Sequence, residues 1–185
     1  MSDEPLVRPA HLILIGLPGA GKTTHGRRVA RQLGRPFIDL DLRIAAAAGR
    51  PVAEIFRDDG EPAFRDLERA ATSALANEPA SIVAPGGGWM MDPQNMALVK
   101  PGAVIVWLQV SPFVAVQRMG ARIGLRPLLR TGDPVQTLTE LLTRRAQRYG
   151  QADAVVNTEL LSWQQVAQAI TALAPSVEMA EPGHP

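Results

Sequence analysis

The sequence predicts a three-layer α/β fold in which helices cover both faces of a parallel β-sheet. Short apolar runs alternate along the chain with longer segments of helical periodicity, an arrangement typical of parallel sheets. Residues 103–110 read AVIVWLQV, which is the nearly continuous apolar run expected of a strand buried on both faces. A glycine-rich turn at residues 16–21 joins the first strand to a helix, which is typical of a phosphate-loop fold.

Each element follows from its periodicity and from the residues that end it. The predicted strands cover residues 11–15, 37–39, 81–84, 103–110 and 154–156. The predicted helices cover residues 22–33, 41–48, 52–56, 62–77, 93–99, 112–119, 137–149 and 162–174. Gly34 ends the first helix, and Gly49 with the following Arg-Pro breaks the second. Residues 120–134, rich in glycine, proline and arginine, are predicted to form a mobile loop.

The composition is typical of a soluble protein with one domain. The chain has 185 residues, 46% of them hydrophobic, with a net charge of +1 and no cysteine. This charge gives no argument for a nucleic-acid or membrane partner, and the lack of cysteine excludes disulfides and thiolate metal sites. No apolar run is long enough to span a bilayer, and residues 1–10 do not resemble a signal peptide. We expect a cytoplasmic domain at residues 11–174, an extension at 1–10 and a disordered tail at 175–185.

A phosphate-binding loop is the strongest functional signal. Residues 16–24, GLPGAGKTT, contain the full pattern G-x-x-x-x-G-K-[ST] between a predicted strand and a predicted helix. The glycines let backbone N–H groups converge on phosphate oxygens, and the helix N-terminus adds partial positive charge. Lys22 is expected to reach the β and γ phosphates, and the Thr23 hydroxyl to bind Mg²⁺. The motif indicates nucleoside triphosphate binding but does not choose between a GTPase, a motor ATPase and a small-molecule kinase.

Two aspartates in the segment FIDLD are the acidic candidates near this loop. The fourth strand does not end in the aspartate of a usual Walker B motif, whereas Asp39 and Asp41 follow the second strand. The C-terminal ends of neighbouring parallel strands open onto one crevice, so both side chains are expected near the loop. One could hold Mg²⁺ through water while the other meets an acceptor hydroxyl. From the residues alone, capping of the next helix by Asp41 is an equal alternative.

Further candidates lie downstream. Arg65 and Glu68 are three residues apart on a predicted helix. The ordinary interpretation is a solvent-exposed ladder of ion pairs that also includes Glu61, and from these residues alone it is the favoured one. The glycine run at residues 86–88 follows the third strand and would let a ligand approach the backbone closely, with a flexible turn as the alternative.

Together and in order, these stretches resemble the shikimate kinase family. The matching segments are GLPGAGKTT, FIDLD, GRPVAEIFRDDGEPAFRDLE, PGGG, RPLL and RRAQRY, spread over about residues 11–157. The resemblance implies a nucleoside-monophosphate-kinase fold with a five-stranded parallel sheet in the order 2-3-1-4-5 and a mobile lid at about residues 119–134. It also implies that a monomeric enzyme transfers the ATP γ-phosphoryl group to the 3-hydroxyl of shikimate, within chorismate and aromatic amino-acid biosynthesis, with Mg²⁺.

The resemblance further implies a role for each candidate residue. Lys22, Asp41 and Arg126 would form the catalytic set, with Asp41 as the base or orienting group. Thr23 and Asp39 would hold Mg²⁺. The ATP contacts would be Gly19, Ala20, Gly21, Lys22, Thr23, Thr24, Arg118 against adenine and Arg126 from the lid. The shikimate contacts would be Asp41, Arg65, Glu68, Gly86, Gly87, Gly88 and Arg145, with the two arginines on the carboxylate and Glu68 orienting Arg65.

Departures from the family pattern leave other functions open. Trp89, Met90 and Met91 follow the glycine run where the family has smaller residues; we expect them in the core, but they could reshape the pocket wall. These residues, together with a lid that is one residue longer than in the family, leave open a second hypothesis, a kinase of another hydroxy acid such as gluconate. A non-catalytic ligand sensor is a third hypothesis. The complete set of catalytic residues argues against it, as do the ten residues before the first strand, too few for a helix-turn-helix.

Overall fold

A five-stranded parallel β-sheet forms the centre of the molecule. We describe residues 11–125, 129 and 132–175 of a computed structural model of the chain. The strands are β1 (His11–Ile15), β2 (Phe37–Asp39), β3 (Ile82–Ala84), β4 (Ala103–Gln109) and β5 (Ala154–Asn157). They lie in the order β2-β3-β1-β4-β5, and every pairing is parallel. The predicted fold class and the predicted strand order 2-3-1-4-5 are therefore confirmed.

Eight α-helices within the described residues connect these strands. They are α1 (Lys22–Leu33), α2 (Leu40–Ala48), α3 (Val52–Asp58), α4 (Gly60–Ala74), α5 (Pro93–Val99), α6 (Pro112–Met119), α7 (Pro134–Tyr149) and α8 (Trp163–Ala172). Gly34 and Gly49 end α1 and α2 in the left-handed conformation, as the sequence predicts. Helix α7 begins three residues earlier than predicted, because Asp133 caps it and Pro134 occupies its first position.

Short 3₁₀ helices account for the main differences from the predicted elements. The predicted helix at residues 62–77 is α4 followed by a 3₁₀ turn at Leu75–Asn77, and a further turn forms at Trp89–Met91. Gly120–Leu125, predicted as a mobile loop, is also a 3₁₀ helix. The rest of the predicted lid lies largely outside the described residues, as do residues 1–10 and all of the predicted tail beyond Pro175.

Two hydrophobic clusters lie on opposite faces of the sheet. Residues of β1 alternate between them: Leu12 and Leu14 belong to one cluster, and Ile13 and Ile15 to the other. Because β1 is the middle strand and buried on both faces, its run of apolar residues is explained. Within the described part of the chain, no helix is both long enough and apolar enough to cross a bilayer.

Candidate active site

The phosphate loop occupies the turn from β1 into α1, and its shape requires glycine. Gly16 and Gly19 have φ angles of 141° and 84°. A Cβ atom at Gly16 would lie 2.5 Å from the Leu108 carbonyl oxygen, and one at Gly19 would lie 2.5 Å from the Ala115 carbonyl oxygen. Lys22 Nζ donates to the carbonyl oxygens of Gly16 and Leu17 at 2.8 and 3.1 Å. The lysine side chain thus lies across the loop in which it is predicted to bind phosphate.

Thr23 and Asp39 form an oxygen pair beside this loop. Thr23 Oγ1 donates to Asp39 Oδ2 at 3.4 Å, and Asp39 Oδ1 accepts from the Leu42 backbone N–H at 3.3 Å. In the described ranges, no three His, Cys, Asp or Glu side chains come together as a metal cluster. A hydroxyl beside a carboxylate fits Mg²⁺, because this ion usually keeps several waters and binds substrate phosphates with only one or two protein oxygens.

The capping interpretation of Asp41 is wrong, since the cap is Asp39. Helix α2 begins at Leu40, so Asp41 belongs to its first turn and its side chain is not committed to the cap. Asp41 instead lines a cavity of about 780 Å³ together with Lys22 and Thr23. A Cβ at Gly86 would lie 2.7 Å from Asp41 Oδ1, so the first glycine of the run leaves room for this carboxylate.

The other two glycines of the run each accommodate one predicted arginine. A Cβ at Gly87 would lie 2.8 Å from Arg145 Nη1, and one at Gly88 would lie 2.7 Å from Arg65 Nη2. Tyr149 Oη donates to the Gly87 carbonyl oxygen at 2.9 Å, which fixes the middle of the run against α7. The structure therefore brings the glycine run together with the side chains predicted for the acceptor, and the flexible-turn alternative is not favoured.

Arg65 is held between two carboxylates. Its Nη1 donates to Glu68 Oε2 at 2.8 Å and its Nη2 to Glu61 Oε1 at 2.8 Å, so the predicted ladder with Glu61 exists alongside the Glu68 contact. Burial disfavours the Arg65 cation, but hydrogen bonds to both glutamates raise its pKa above the usual value. Burial raises the pKa of Glu68, whose side chain is 1% exposed, while Arg65 opposes the rise. Arg65 therefore presents a fixed positive charge beside Gly88.

A second cavity, of about 570 Å³, is lined by Arg65 and Arg145, the two arginines next to the glycine run. Its lining consists of Glu61, Arg65, Arg69, Met91, Asp92, Pro93, Leu141, Arg144 and Arg145. Trp89 and Met90 are 1% and 3% exposed and belong to the core, as predicted. Met91, by contrast, contributes to the wall of this cavity. The unusual residues therefore alter the acceptor side directly at only one of their three positions.

The structure places some of the predicted nucleotide contacts, but not all of them, at the larger cavity. Gly19, Gly21, Lys22, Thr23 and Thr24 line the larger cavity with Arg118, whereas Ala20 is fully buried. Arg118 donates from Nη1 to Thr158 Oγ1 at 2.8 Å and from Nη2 to the Thr158 carbonyl oxygen at 2.6 Å. Arg126 lies outside the described residues.

Sequence reasoning missed two aromatic side chains at this site. The ring of Trp163 stacks on His25 with 4.6 Å between centroids, and both residues line the larger cavity. Trp163 is 56% exposed, which is unusual for so large an apolar ring. Burial, helped by Arg118 and Arg28, lowers the pKa of His25 to about 4, so the imidazole is neutral near pH 7. The capping box of Ser162 and Gln165 fixes Trp163 as the first residue of α8, but the approach of Trp163 to His25 depends on the packing of α8 against α1 and has no local signal.

The two cavities thus divide the site into a phosphate half, which includes Asp41, and a carboxylate half, with the glycine run beside both. Backbone amides, Lys22 and an oxygen pair suited to Mg²⁺ are features for a triphosphate. Arg65 and Arg145 are suited to a carboxylate, because the planar guanidinium matches its two oxygens. Asp41, in the larger cavity beside Gly86, is suited to accept a hydrogen bond from a hydroxyl group. The arrangement can bring a phosphoryl donor and a small hydroxy acid together.

Comparison with known proteins agrees with this chemistry. The family model described as shikimate kinase matches residues 18–174. A shikimate kinase of Caulobacter vibrioides is 43% identical over 156 residues, which cover 84% of this chain and 78% of that protein. The structure of an Acinetobacter baumannii shikimate kinase in complex with shikimate superposes with a TM-score of 0.81 and 34% identity, covering 89% of this chain and 92% of the other.

A gluconokinase structure from Sinorhizobium meliloti is also similar, with a TM-score of 0.59 over 89% of this chain and 90% of that one. Its identity is only 20%, so this likeness extends to the fold alone. The family model, by contrast, spans most of the chain, and the Caulobacter relative is similar along nearly all of the domain. The chain belongs to the shikimate kinase family.

Proposed function

We propose that this enzyme transfers the γ-phosphoryl group of ATP to the 3-hydroxyl of shikimate, giving ADP and shikimate 3-phosphate. The observation that carries the proposal is the glycine run beside the phosphate loop. Its three positions accommodate Asp41, Arg145 and Arg65 in turn. Shikimate has one carboxylate and three hydroxyls, so two arginines and one acceptor carboxylate match its polar groups.

The donor half would hold ATP through the phosphate loop. Lys22 and the backbone amides of residues 19–24 would neutralise and orient the phosphates, and Arg118 with Trp163 would contact the base. Thr23 Oγ1, with Asp39 acting through water, would hold Mg²⁺. When bound, Mg²⁺ supplies positive charge against the phosphate oxygens. Arg126 is proposed to add charge from the lid.

Asp41 would act on the acceptor. As the 3-hydroxyl oxygen bonds to the γ-phosphorus, Asp41 accepts the hydroxyl proton, and the bond from phosphorus to the β–γ bridging oxygen breaks to release ADP. Arg65 and Arg145 would fix the shikimate carboxylate, which sets the direction of the reacting hydroxyl. Phosphoryl transfer depends on such positioning and on charge neutralisation more than on covalent chemistry.

The two alternatives are not favoured. The likeness to a gluconokinase is confined to the fold, and a sensor would not need the complete set of Lys22, Thr23, Asp39 and Asp41. We further propose that the enzyme acts as a monomer in the cytoplasm, where both small-molecule substrates are available, and that it has no nucleic-acid or membrane partner.

The proposal is tested by an assay that couples ADP release to shikimate, quinate and gluconate in turn. Shikimate is expected to be the preferred acceptor. Asp41→Asn should lower turnover at least about 100-fold, the usual range for losing a proton acceptor, while ATP binding stays within about twofold. Lys22→Ala should instead weaken ATP binding. Preference for gluconate, or ATP affinity lost equally in both variants, would contradict the assignment.

A further inference from the structure

A buried polar network lies directly behind Arg65. Glu68, Thr72 and Trp89 are each 1% exposed, and Asn95 is 0% exposed. Burying polar groups costs free energy unless they are hydrogen-bonded, so a network of this kind needs a reason. Its members come from α4, from the 3₁₀ turn Trp89–Met91 that follows the glycine run, and from α5. The network therefore joins three elements around the acceptor side of the site.

Asn95 is the central donor of the network. Its Nδ2 donates to Glu68 Oε2 at 3.3 Å and to the Trp89 carbonyl oxygen at 3.1 Å. The Trp89 carbonyl can only accept, so the amide nitrogen must face it and the orientation of the side chain is settled. Asn95 Oδ1 is buried and has no hydrogen-bond partner among the described residues, so the two observed contacts of this side chain are both made by its amide nitrogen.

Glu68 connects this amide to the arginine. Oε2 accepts from Asn95 on one side and from Arg65 Nη1, at 2.8 Å, on the other. Glu68 Oε1 is buried and, within the part of the chain that the structure describes, has no hydrogen-bond partner. The direction of the carboxylate is thus set through a single oxygen shared by two donors. If Asn95 were removed, only Arg65 would hold that oxygen.

Trp89 closes the network into a ring. Its indole Nε1 donates to Thr72 Oγ1 at 2.9 Å, and that hydroxyl donates to the Glu68 backbone carbonyl at 2.7 Å. Trp89 is therefore tied to α4 through its side chain and to Asn95 through its backbone. The same residue directly follows Gly88, the glycine that accommodates Arg65.

We propose that Asn95 is a positioning residue for the acceptor carboxylate, acting through Glu68 on the guanidinium of Arg65, with Trp89 and Thr72 holding Asn95 in place. This inference rests on the proposed function, because it takes Arg65 as a contact of the shikimate carboxylate. Asn95 donates to Glu68 and so favours the ionised carboxylate, which burial disfavours. A charged, fixed Glu68 keeps Arg65 beside Gly88 before substrate arrives, so less ordering is needed on binding.

The test is a kinetic comparison of Asn95→Leu with the wild type and with a packing control. Leucine has the same number of side-chain heavy atoms and the same branch point as asparagine but donates no hydrogen bond. We expect the KM for shikimate to rise about tenfold, with kcat and the KM for ATP within about twofold. Val99→Ala is the matched control, since it loosens the same helix at a buried position outside the network. It should leave the KM for shikimate within about twofold.

A double-variant cycle shows whether the effect runs through Arg65. In an Arg65→Ala background, Asn95→Leu should lower kcat/KM for shikimate no further, because the group that it positions is gone. Equal losses in both backgrounds, or a Val99→Ala variant that reproduces the rise in KM, would overturn the inference. If Asn95→Leu does not fold, as judged by circular dichroism, Asn95→Ala and Thr72→Val are measured in the same cycle with the same two outcomes.

Failure of the inference is distinguishable from failure of the proposed function. A wild-type enzyme that does not phosphorylate shikimate overturns both. A wild type that does so, with selective effects of Arg65→Ala on shikimate but none of Asn95→Leu, overturns the positioning role alone.

Discussion

The glycines at 86 and 88 are neighbours of different functional groups, so alanine at each position is expected to affect a different kinetic constant. Neither residue has a positive φ, and the atoms nearest to the added Cβ would belong to a side-chain end, that of Asp41 at the first and of Arg65 at the second. We expect Gly86→Ala to lower kcat at least about tenfold by displacing Asp41, the proposed proton acceptor. Gly88→Ala should raise the KM for shikimate by a similar factor with a smaller effect on kcat.

Steady-state kinetics with varied shikimate at saturating ATP measures both effects. Gly150→Ala is the control, because its Cβ would make ordinary contacts, the nearest at 3.4 Å, and its φ of −65° suits alanine. Its constants should match those of the wild type. If Gly86→Ala and Gly88→Ala changed the same constant equally, the separate assignments of Asp41 and Arg65 would be wrong.

At the scale of elements, helix α1 contains a buried histidine whose protonation opposes folding. The pKa of His25 is lowered from 6.5 to about 4, mainly by burial. Between these values the unfolded chain binds a proton that the folded protein excludes, so stability falls as the pH drops from about 6.5 towards 4. The shift corresponds to roughly 3 kcal/mol over the whole window, and above pH 7 the contribution is fully present.

Urea unfolding at several pH values between 7.5 and 4.5, with EDTA and without nucleotide, measures this loss. His25→Phe keeps an aromatic ring against Trp163 but cannot be protonated. The difference between wild type and variant isolates the histidine, because the other ionisable groups are common to both. The wild type should lose more of its unfolding free energy on acidification. Parallel curves for the two proteins would show that His25 does not titrate as described.

The elements that the sequence predicts well are those whose signals are local. Strand β4 is recognisable from its apolar run, and Gly34 marks the end of α1 because a left-handed residue is needed there. Helix α2 begins one residue earlier than the sequence predicts, which makes Asp39 its cap and removes capping as the alternative for Asp41. Arg65 and Glu68 were distinguished from a surface ladder only by the family resemblance, since their helix spacing fits both.

Features that depend on distant contacts could not be read from the sequence. Asn95 looks like an ordinary polar residue of a short helix, and its role requires the approach of Glu68, 27 positions away in the chain. Trp163 stands far from the phosphate loop in sequence and reaches it only because α8 packs against α1. In both cases the role depends on a contact with a residue far away in the sequence, and such a contact leaves no periodic pattern in the sequence.

At the scale of the whole molecule, the two cavities of the site share no lining residue among the residues that the structure describes. The larger cavity is lined by the phosphate loop and Asp41, and the smaller one by Arg65, Arg145 and Met91. The glycine run lies beside both, because Gly86 and Gly87 line the larger cavity while Gly87 and Gly88 lie next to Arg145 and Arg65. A substitution that weakens substrate binding in one cavity should therefore leave substrate binding in the other cavity unchanged.

Trp163→Ala and Arg145→Ala test this independence. The first should raise the KM for ATP about tenfold, since stacking of a base on an aromatic ring is worth about 1–3 kcal/mol. The second should raise the KM for shikimate by at least about tenfold through loss of a charge-assisted hydrogen bond. Trp163→Phe, which keeps an aromatic face, should stay close to the wild type.

The double variant of Trp163→Ala and Arg145→Ala measures the coupling between the two cavities. Because the two residues line different cavities and are proposed to contact different substrates, their effects on kcat/KM should add in free energy to within about 0.5 kcal/mol. Saturating one substrate while varying the other gives each KM separately. A KM for shikimate that rises in Trp163→Ala, or a double variant far worse than the sum, would mean that the two halves are coupled through the sheet. Additive losses would mean that donor and acceptor bind to sites that the fold builds separately and joins only at the reacting groups.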